Sequence, residues 1–361
     1  MKAKNIAFAL SAAISVASPC IARAASQLPL RGGNLLTPYA VLDIGLASQT
    51  NATSAGTKTG FLAGPVDPDI LGIKGSHALP GGNRVVYQFE AGTNMETGAQ
   101  GFGAQQTWGR QANVGLAGSW GSLRGGYELT PFISDMGAFD PLGISQSGSI
   151  LPYYLDAIGG TGIFDSRMFQ YRSPESGALH YSAGLGTGNV PGSSGSGLEF
   201  QATATYQAGR FGFGGGFVHV NSSGTAQGAT KSYWGGLNYV MGSITLRGLT
   251  QYSSVTRTTG ISRKTIQIGG GFDWRLGNNY TLEYGIYKYW DTNDSNNHSL
   301  MNAALLNYTL DSSTTVYGGA TYLTNSGNMA VNPLNGSSWG NDTQPAGSNT
   351  AAVLVGFRYQ F

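Results

Sequence analysis

Residues Ala351 to Phe361 read A-A-V-L-V-G-F-R-Y-Q-F. Val353, Val355, Phe357, Tyr359 and Phe361 fall on one face of an extended chain, and Leu354, Gly356, Arg358 and Gln360 on the other. That period-2 alternation is the signature of a strand with one apolar face. A strand of this kind, ending in an aromatic residue, suits the closing strand of a barrel.

Working back from that segment, alternating stretches of about ten residues recur along the chain, separated by turn residues, the pattern expected of a transmembrane barrel. They fall near 37–47, 69–76, 83–94, 106–118, 122–129, 166–173, 178–187, 198–208, 211–221, 230–240, 243–256, 263–276, 280–292, 299–310, 314–325 and 350–361. The connections alternate in length. Gly209-Arg210, Met241-Gly242 and Gly277-Asn278-Asn279 are short, whereas 48–68, 130–165, 188–197 and 326–349 are long. Short periplasmic turns and long external loops give this asymmetry. The expected fold is therefore an all-β, antiparallel transmembrane barrel of about 16 strands.

Composition supports that reading. Charged residues are 11% of the chain and aromatics 11%, with 57 glycines. A soluble domain carries roughly 25% charge. No segment beyond the N-terminus is long and apolar enough to cross as a helix, and a closed barrel is the other way to satisfy every backbone group in lipid. At the N-terminus, Lys2 and Lys4 precede the apolar run Ile6 to Val16, and Ala22-Arg23-Ala24 has the spacing of a cleavage site. Residues 1–24 are expected to be a removed secretory signal, leaving 25–361 as the barrel. Their loss takes away three bases from 20 and no acid from 18, so the remaining chain is close to neutral. That balance excludes nucleic acid as a partner. The single cysteine, Cys20, lies in the signal, which excludes disulfides and thiolate chemistry.

Strand parity separates lipid from lumen. In 198–208, Phe200, Ala202, Ala204 and Tyr206 face lipid, while Glu199, Gln201, Thr203, Thr205 and Gln207 face inward. Trp108, Tyr239, Trp274, Tyr280, Trp290, Tyr308 and Tyr322 sit near strand ends, as interfacial girdles do. A polar interior at this strand number implies a water-filled lumen.

Several stretches resemble the trimeric general diffusion porins of Gram-negative outer membranes. Asp69 to Gly82 (D-I-L-G-I-K-G-S-H-A-L-P-G-G) with Val85 to Gly92 (V-V-Y-Q-F-E-A-G) is similar to that family's second hairpin. Arg110 to Gly118 (R-Q-A-N-V-G-L-A-G) with Trp120-Gly121, Tyr171 to Gly177, and Val355 to Phe361 resemble its fourth strand, its sixth strand and turn, and its terminus. The resemblance implies a homotrimer, a third external loop folded into each lumen, and passive diffusion of small hydrophilic solutes and ions through the outer membrane. The connection 130–165 stands where that loop belongs. The chain departs from the family pattern at Ile70, where an arginine is usual, at His77-Ala78, and at Gly126-Tyr127-Glu128. Arg124 is placed to substitute for one missing arginine.

Charge is segregated around 130–165. The loop carries Asp135, Asp140, Asp156 and Asp165, Glu128 precedes it, and no Lys or Arg lies between 125 and 166. Parity places Arg84, Arg124, Arg172, Arg247, Arg263, Arg275 and Arg358 on the wall. An acidic constriction opposite a basic wall, with Arg84, Arg124, Arg172 and Arg247 as its main cations, is the expected selectivity device. His77, His180, His219 and His298 lack metal-ligand spacing, and no Ser-His-Asp set can be assembled. The reading assigns no catalytic residue, metal or cofactor. The function expected is passive conduction. Alternatives are a sugar- or organic-anion-selective channel on the same barrel, a barrel enzyme, or an adhesin.

Overall fold

The computed structural model describes residues 28–30, 34–101, 106–159, 161–223, 228–256 and 262–361. The expected signal, 1–24, lies outside the described residues. The strands are β1 (Leu28–Leu30), β2 (Asn34–Thr53), β3 (Gly56–Ala63), β4 (Ile70–Ala78), β5 (Arg84–Gly92), β6 (Gln111–Gly118), β7 (Gly121–Leu129), β8 (Phe164–Arg172) and β9 (Leu179–Gly186). They continue as β10 (Glu199–Ala208), β11 (Phe211–Val220), β12 (Thr230–Met241), β13 (Ile244–Thr256), β14 (Ser262–Leu276), β15 (Tyr280–Asp291), β16 (His298–Thr309), β17 (Thr314–Ser326) and β18 (Asn349–Gln360). Two short helices, α1 (Pro131–Met136) and α2 (Leu151–Ile158), lie in the connection between β7 and β8.

The sheet closes on itself. From β4 onward each strand pairs antiparallel with the next, and β18 pairs with β2, placing Leu354 opposite Ala47 and Arg358 opposite Asp43. Phe361 completes the seam with two backbone hydrogen bonds to Ala40, at 3.0 and 3.1 Å. β3 and β4 lie one after the other along the same edge of β2 and fill one wall position, and the three-residue β1 pairs antiparallel with the start of β2. The barrel therefore has sixteen wall positions. The hairpin β2–β3 differs from the expected loop 48–68. Its alternation, G-T-K-T-G-F-L-A, is polar on both faces until Phe61, so the apolar stripe that marks a lipid-facing strand is missing.

Parity decides the outer face. Phe200, Leu246, Ile286, Val353, Val355 and Phe357 are exposed, as are Trp108, Tyr239, Trp274, Tyr280 and Tyr322 near strand ends. An apolar band of this extent belongs in a bilayer rather than in water. Gly209, Gly242 and Gly277 each have positive φ in a tight turn, where a side chain would be strained.

The interior departs from a uniformly polar lumen. Inward positions on β15 to β17 carry Tyr287, Tyr289, Met301, Leu305, Tyr317 and Leu323, all buried. They join Phe132, Met136, Phe139, Tyr153 and Tyr154 of the 130–165 loop in one apolar core. One side of the barrel is thus packed, and open space remains on the other.

Candidate functional site

Loop 130–165 leaves the wall through a tight neck. Thr130 donates from its backbone N–H to the Ile163 carbonyl at 2.9 Å, and its hydroxyl donates to the Gly162 carbonyl. Pro131, whose missing N–H costs nothing at a first helical position, starts α1. The Phe132 N–H then donates to Gln201 on β10 at 3.1 Å. Phe139 lies over Gly214 and Gly236, which face each other on β11 and β12 and leave a bare patch of wall for its ring. Trp234 flanks it at 5.6 Å between centroids. Farther along, Tyr153 stacks on Tyr289 at 4.9 Å.

The loop carboxylates turn to the wall. Asp135 accepts from the Thr203 hydroxyl. Asp140, with no exposed surface, accepts from the Tyr287 hydroxyl at 2.7 Å and from the Ile144 N–H at 2.7 Å. Burial pushes the Asp140 carboxyl above the usual carboxylate range, against the hydrogen bonds it accepts. Asp156 pairs with Arg263 at 2.6 Å and accepts from the Tyr289 hydroxyl at 2.7 Å. Asp165, at the start of β8, lies within electrostatic reach of the Glu199 carboxyl. Glu128 is buried in β7, opposite Asp165. This differs from the expected acidic face presented to the lumen. Wall hydroxyls and one guanidinium draw Asp135, Asp140 and Asp156 toward the wall, where an unpartnered charge would be costly.

The basic residues divide into two groups. Arg247 is paired with Asp273 at 2.7 Å and also donates to the Ala138 carbonyl, so it holds the loop. Arg358 is paired with Asp67, and Arg110 with Glu90 at 2.6 Å. By contrast, among the described residues Lys74, Arg84, Arg124 and Arg172 have no carboxylate within 4.0 Å. All four sit on β4, β5, β7 and β8, on the open side of the barrel. Arg124 lies within electrostatic reach of the other three. Its Nε is buried with no hydrogen-bond partner. Arg172 donates to Gln170 at 2.7 Å and to Ser134 of the loop at 3.3 Å.

A closed sixteen-position barrel, an inward third loop and a wall with inward charge converge on one family, and a family comparison decides it. The chain belongs to the Gram-negative porin family. The family match runs over residues 9–328, most of the chain. Comparison with curated proteins gives no match. Among solved structures, an anion-selective porin from Comamonas acidovorans superposes with a TM-score of 0.80 at 20% identity, covering 91% of this chain and all 100% of that one. The trimer form of OmpT, an outer membrane protein of Vibrio cholerae, gives 0.67 at 11% identity, with 91% and 100% covered. Salmonella typhi OmpF, in a complex with daunomycin, gives 0.62 at 15%, with 93% and 100% covered. At these identities the structures speak for the fold. The protein is an outer-membrane diffusion channel.

A cavity of about 670 Å³ lies between the loop, residues 335–341 and the wall around β4–β6. Sequence reasoning missed Lys74, although parity aligns it with the inward Gly72 and Ser76. It left Arg110 unassigned, because Arg110 matches the lipid-facing Val114 and Leu116 in parity. β6 begins only at Gln111, so alternation does not reach Arg110, and its side chain turns inward to Glu90 and the Phe164 ring. Ile70, where an arginine is usual, is buried with Tyr39 and Val41 and adds no charge. Tyr127 packs on Phe164 at 6.0 Å between centroids. No group of three or more His, Cys, Asp or Glu residues able to hold a metal occurs among the described residues.

Proposed function

We propose that this porin passes small hydrophilic anions in preference to cations, with loop 130–165 forming the constriction and Lys74, Arg84, Arg124 and Arg172 forming the wall opposite. The observation that carries the reading is the asymmetry of pairing. Asp135, Asp140 and Asp156 of the loop have wall partners, whereas these four cations have no carboxylate within 4.0 Å. An unpaired cation in a narrow, low-dielectric lumen acts on passing ions with about 1 kcal/mol at ~10 Å and an effective dielectric near ~30. Asp156, neutralised by Arg263, contributes little at that range. Transport is passive, with no covalent step. The mature chain starts after residue 24 and assembles as a homotrimer, in keeping with the trimer form of the Vibrio cholerae protein.

Reversal potential across a planar bilayer under a KCl gradient tests the reading. The expected sign is that of chloride preference. A potential of the opposite sign in the wild-type protein overturns it.

A further inference from the structure

We propose that the outer face of β12 to β15 binds lipopolysaccharide, the phosphorylated glycolipid of the outer leaflet, through three lipid-facing lysines at the rim of the apolar band.

The tight turns at Gly209, Gly242 and Gly277 join β10 to β11, β12 to β13 and β14 to β15, so the opposite ends of these strands are external. Near those ends the outward positions follow one another in register. Phe217, Tyr233, Tyr252, Ile266 and Trp290 make one row across β11 to β15. The Phe217, Tyr233 and Tyr252 rings succeed one another at 6.4 and 6.5 Å between centroids, as in an interfacial girdle. One pleat farther out, His219, Lys231, Ser254 and Lys264 form the next row. Lys288, one pleat inside Trp290, carries its ammonium 5.7 Å from the centre of that ring. All three lysines are exposed. Among the described residues none of them has a carboxylate within 4.0 Å. Lys231 and Lys264 are two strands apart, about 10 Å.

These four strands run 12 to 15 residues, beyond the roughly 9–11 that cross a bilayer, so their external ends reach the headgroups. A lysine facing hydrocarbon is costly, whereas one at the rim keeps its ammonium among the headgroups and lays its methylenes on the apolar surface. Three such cations without a partner call for anions in that layer. A zwitterionic headgroup would set its own ammonium beside them. A second copy of this face would set lysine against lysine. A glycolipid with phosphates on its sugars and several acyl chains answers both rows. Its phosphates go to the lysines, and its chains lie along Tyr233, Tyr252, Ile266 and Ile268.

The test is titration of the purified porin in detergent with fluorescently labelled lipopolysaccharide. A lysine beside an anionic lipid surface contributes about fivefold in affinity, so K231Q/K264Q/K288Q should weaken binding on the order of a hundredfold. R84Q/R124Q/R172Q, which removes as much charge from the lumen, should bind as wild type. Lipopolysaccharide stripped of its phosphates should bind the wild-type protein as weakly as the intact lipid binds the lysine variant. Unchanged binding by the lysine variant overturns the proposal, as do an equal loss in the lumen variant and equal competition by phosphatidylglycerol. Dissociation of the oligomer in the lysine variant would assign the face to a second copy and overturns it too. Should the triple variant fail to fold, K231Q/K264Q carries the same test with a loss of about twenty-five-fold.

Discussion

The hydroxyl of Tyr287 on β15 donates a hydrogen bond of 2.7 Å to the carboxylate of Asp140, 147 residues earlier and at the tip of the inward loop. Both side chains are fully buried. The contact joins the loop to the wall at a point far from its neck at Thr130 and Ile163. Loop position is therefore set by wall chemistry as well as by its own backbone.

Tyr287→Phe should loosen the loop without removing its packing. A buried acceptor that loses one donor costs about 1–2 kcal/mol. Asp140 keeps the Ile144 N–H, so the lower part of that range applies. The expected readings are noisier open-state currents and a lower thermal unfolding midpoint in detergent. Quiet channels with an unchanged midpoint would show that the hydroxyl does not anchor the loop.

Asp140 also predicts a pH dependence. Burial raises its carboxyl above the usual range, so the docked loop binds the proton more tightly than the undocked or unfolded chain. The stabilisation from that proton is present below the ordinary carboxylate value and is lost as pH rises through the raised one. Channel noise should accordingly increase with pH upward from the ordinary carboxylate range. Asp140→Asn, which cannot titrate, should respond less. An equal pH response in both proteins would assign the effect to another group.

The contrast between fold and site shows what local pattern can carry. Phe200 and Gln201 declare opposite faces of β10 from adjacent positions, because lipid and lumen impose period 2 on every crossing strand. That is why sixteen segments were readable, and why β3, which lacks the apolar stripe, was not. The loop carboxylates are different. Asp135, Asp140 and Asp156 find Thr203, Tyr287 and Arg263 from 68 to 147 residues away. Nothing near them in sequence distinguishes a carboxylate that faces water from one that faces a tyrosine hydroxyl. The apolar half of the lumen was hidden for the same reason, since Tyr287 and Leu305 become core only once the loop arrives.

Charge removal should separate the two groups of ionisable residues. R124Q/R172Q should lower chloride permeability and raise potassium permeability by roughly fivefold each per charge, at about 1 kcal/mol per ion, so the chloride-to-potassium ratio falls by more than about tenfold. D135N/D140N should move it little, because Asp135 is directed at Thr203 and Asp140 is enclosed. Reversal potentials under a salt gradient read both. A large shift in the aspartate variant with none in the arginine variant would place the selecting charges on the loop.

Gly236 offers the most direct test of how the loop is seated. A Cβ built there would lie 2.5 Å from the Phe139 Cβ, and one at Gly214 would lie 2.8 Å from the Phe139 ring. Trp234 blocks a sideways escape, at 5.6 Å between centroids. Overpacking of this kind costs about 1–3 kcal/mol, and the side able to yield is the loop, since the wall is held by the β11–β12 and β12–β13 ladders. Gly236→Ala should push Phe139 into the lumen and change single-channel conductance. Gly235→Ala, whose Cβ meets only a backbone oxygen at 4.0 Å, should behave as wild type. Combining Gly236→Ala with Phe139→Ala should give less than the sum of the two effects, as expected for residues in contact. If the two substitutions are additive, Phe139 does not rest on Gly236 in the membrane.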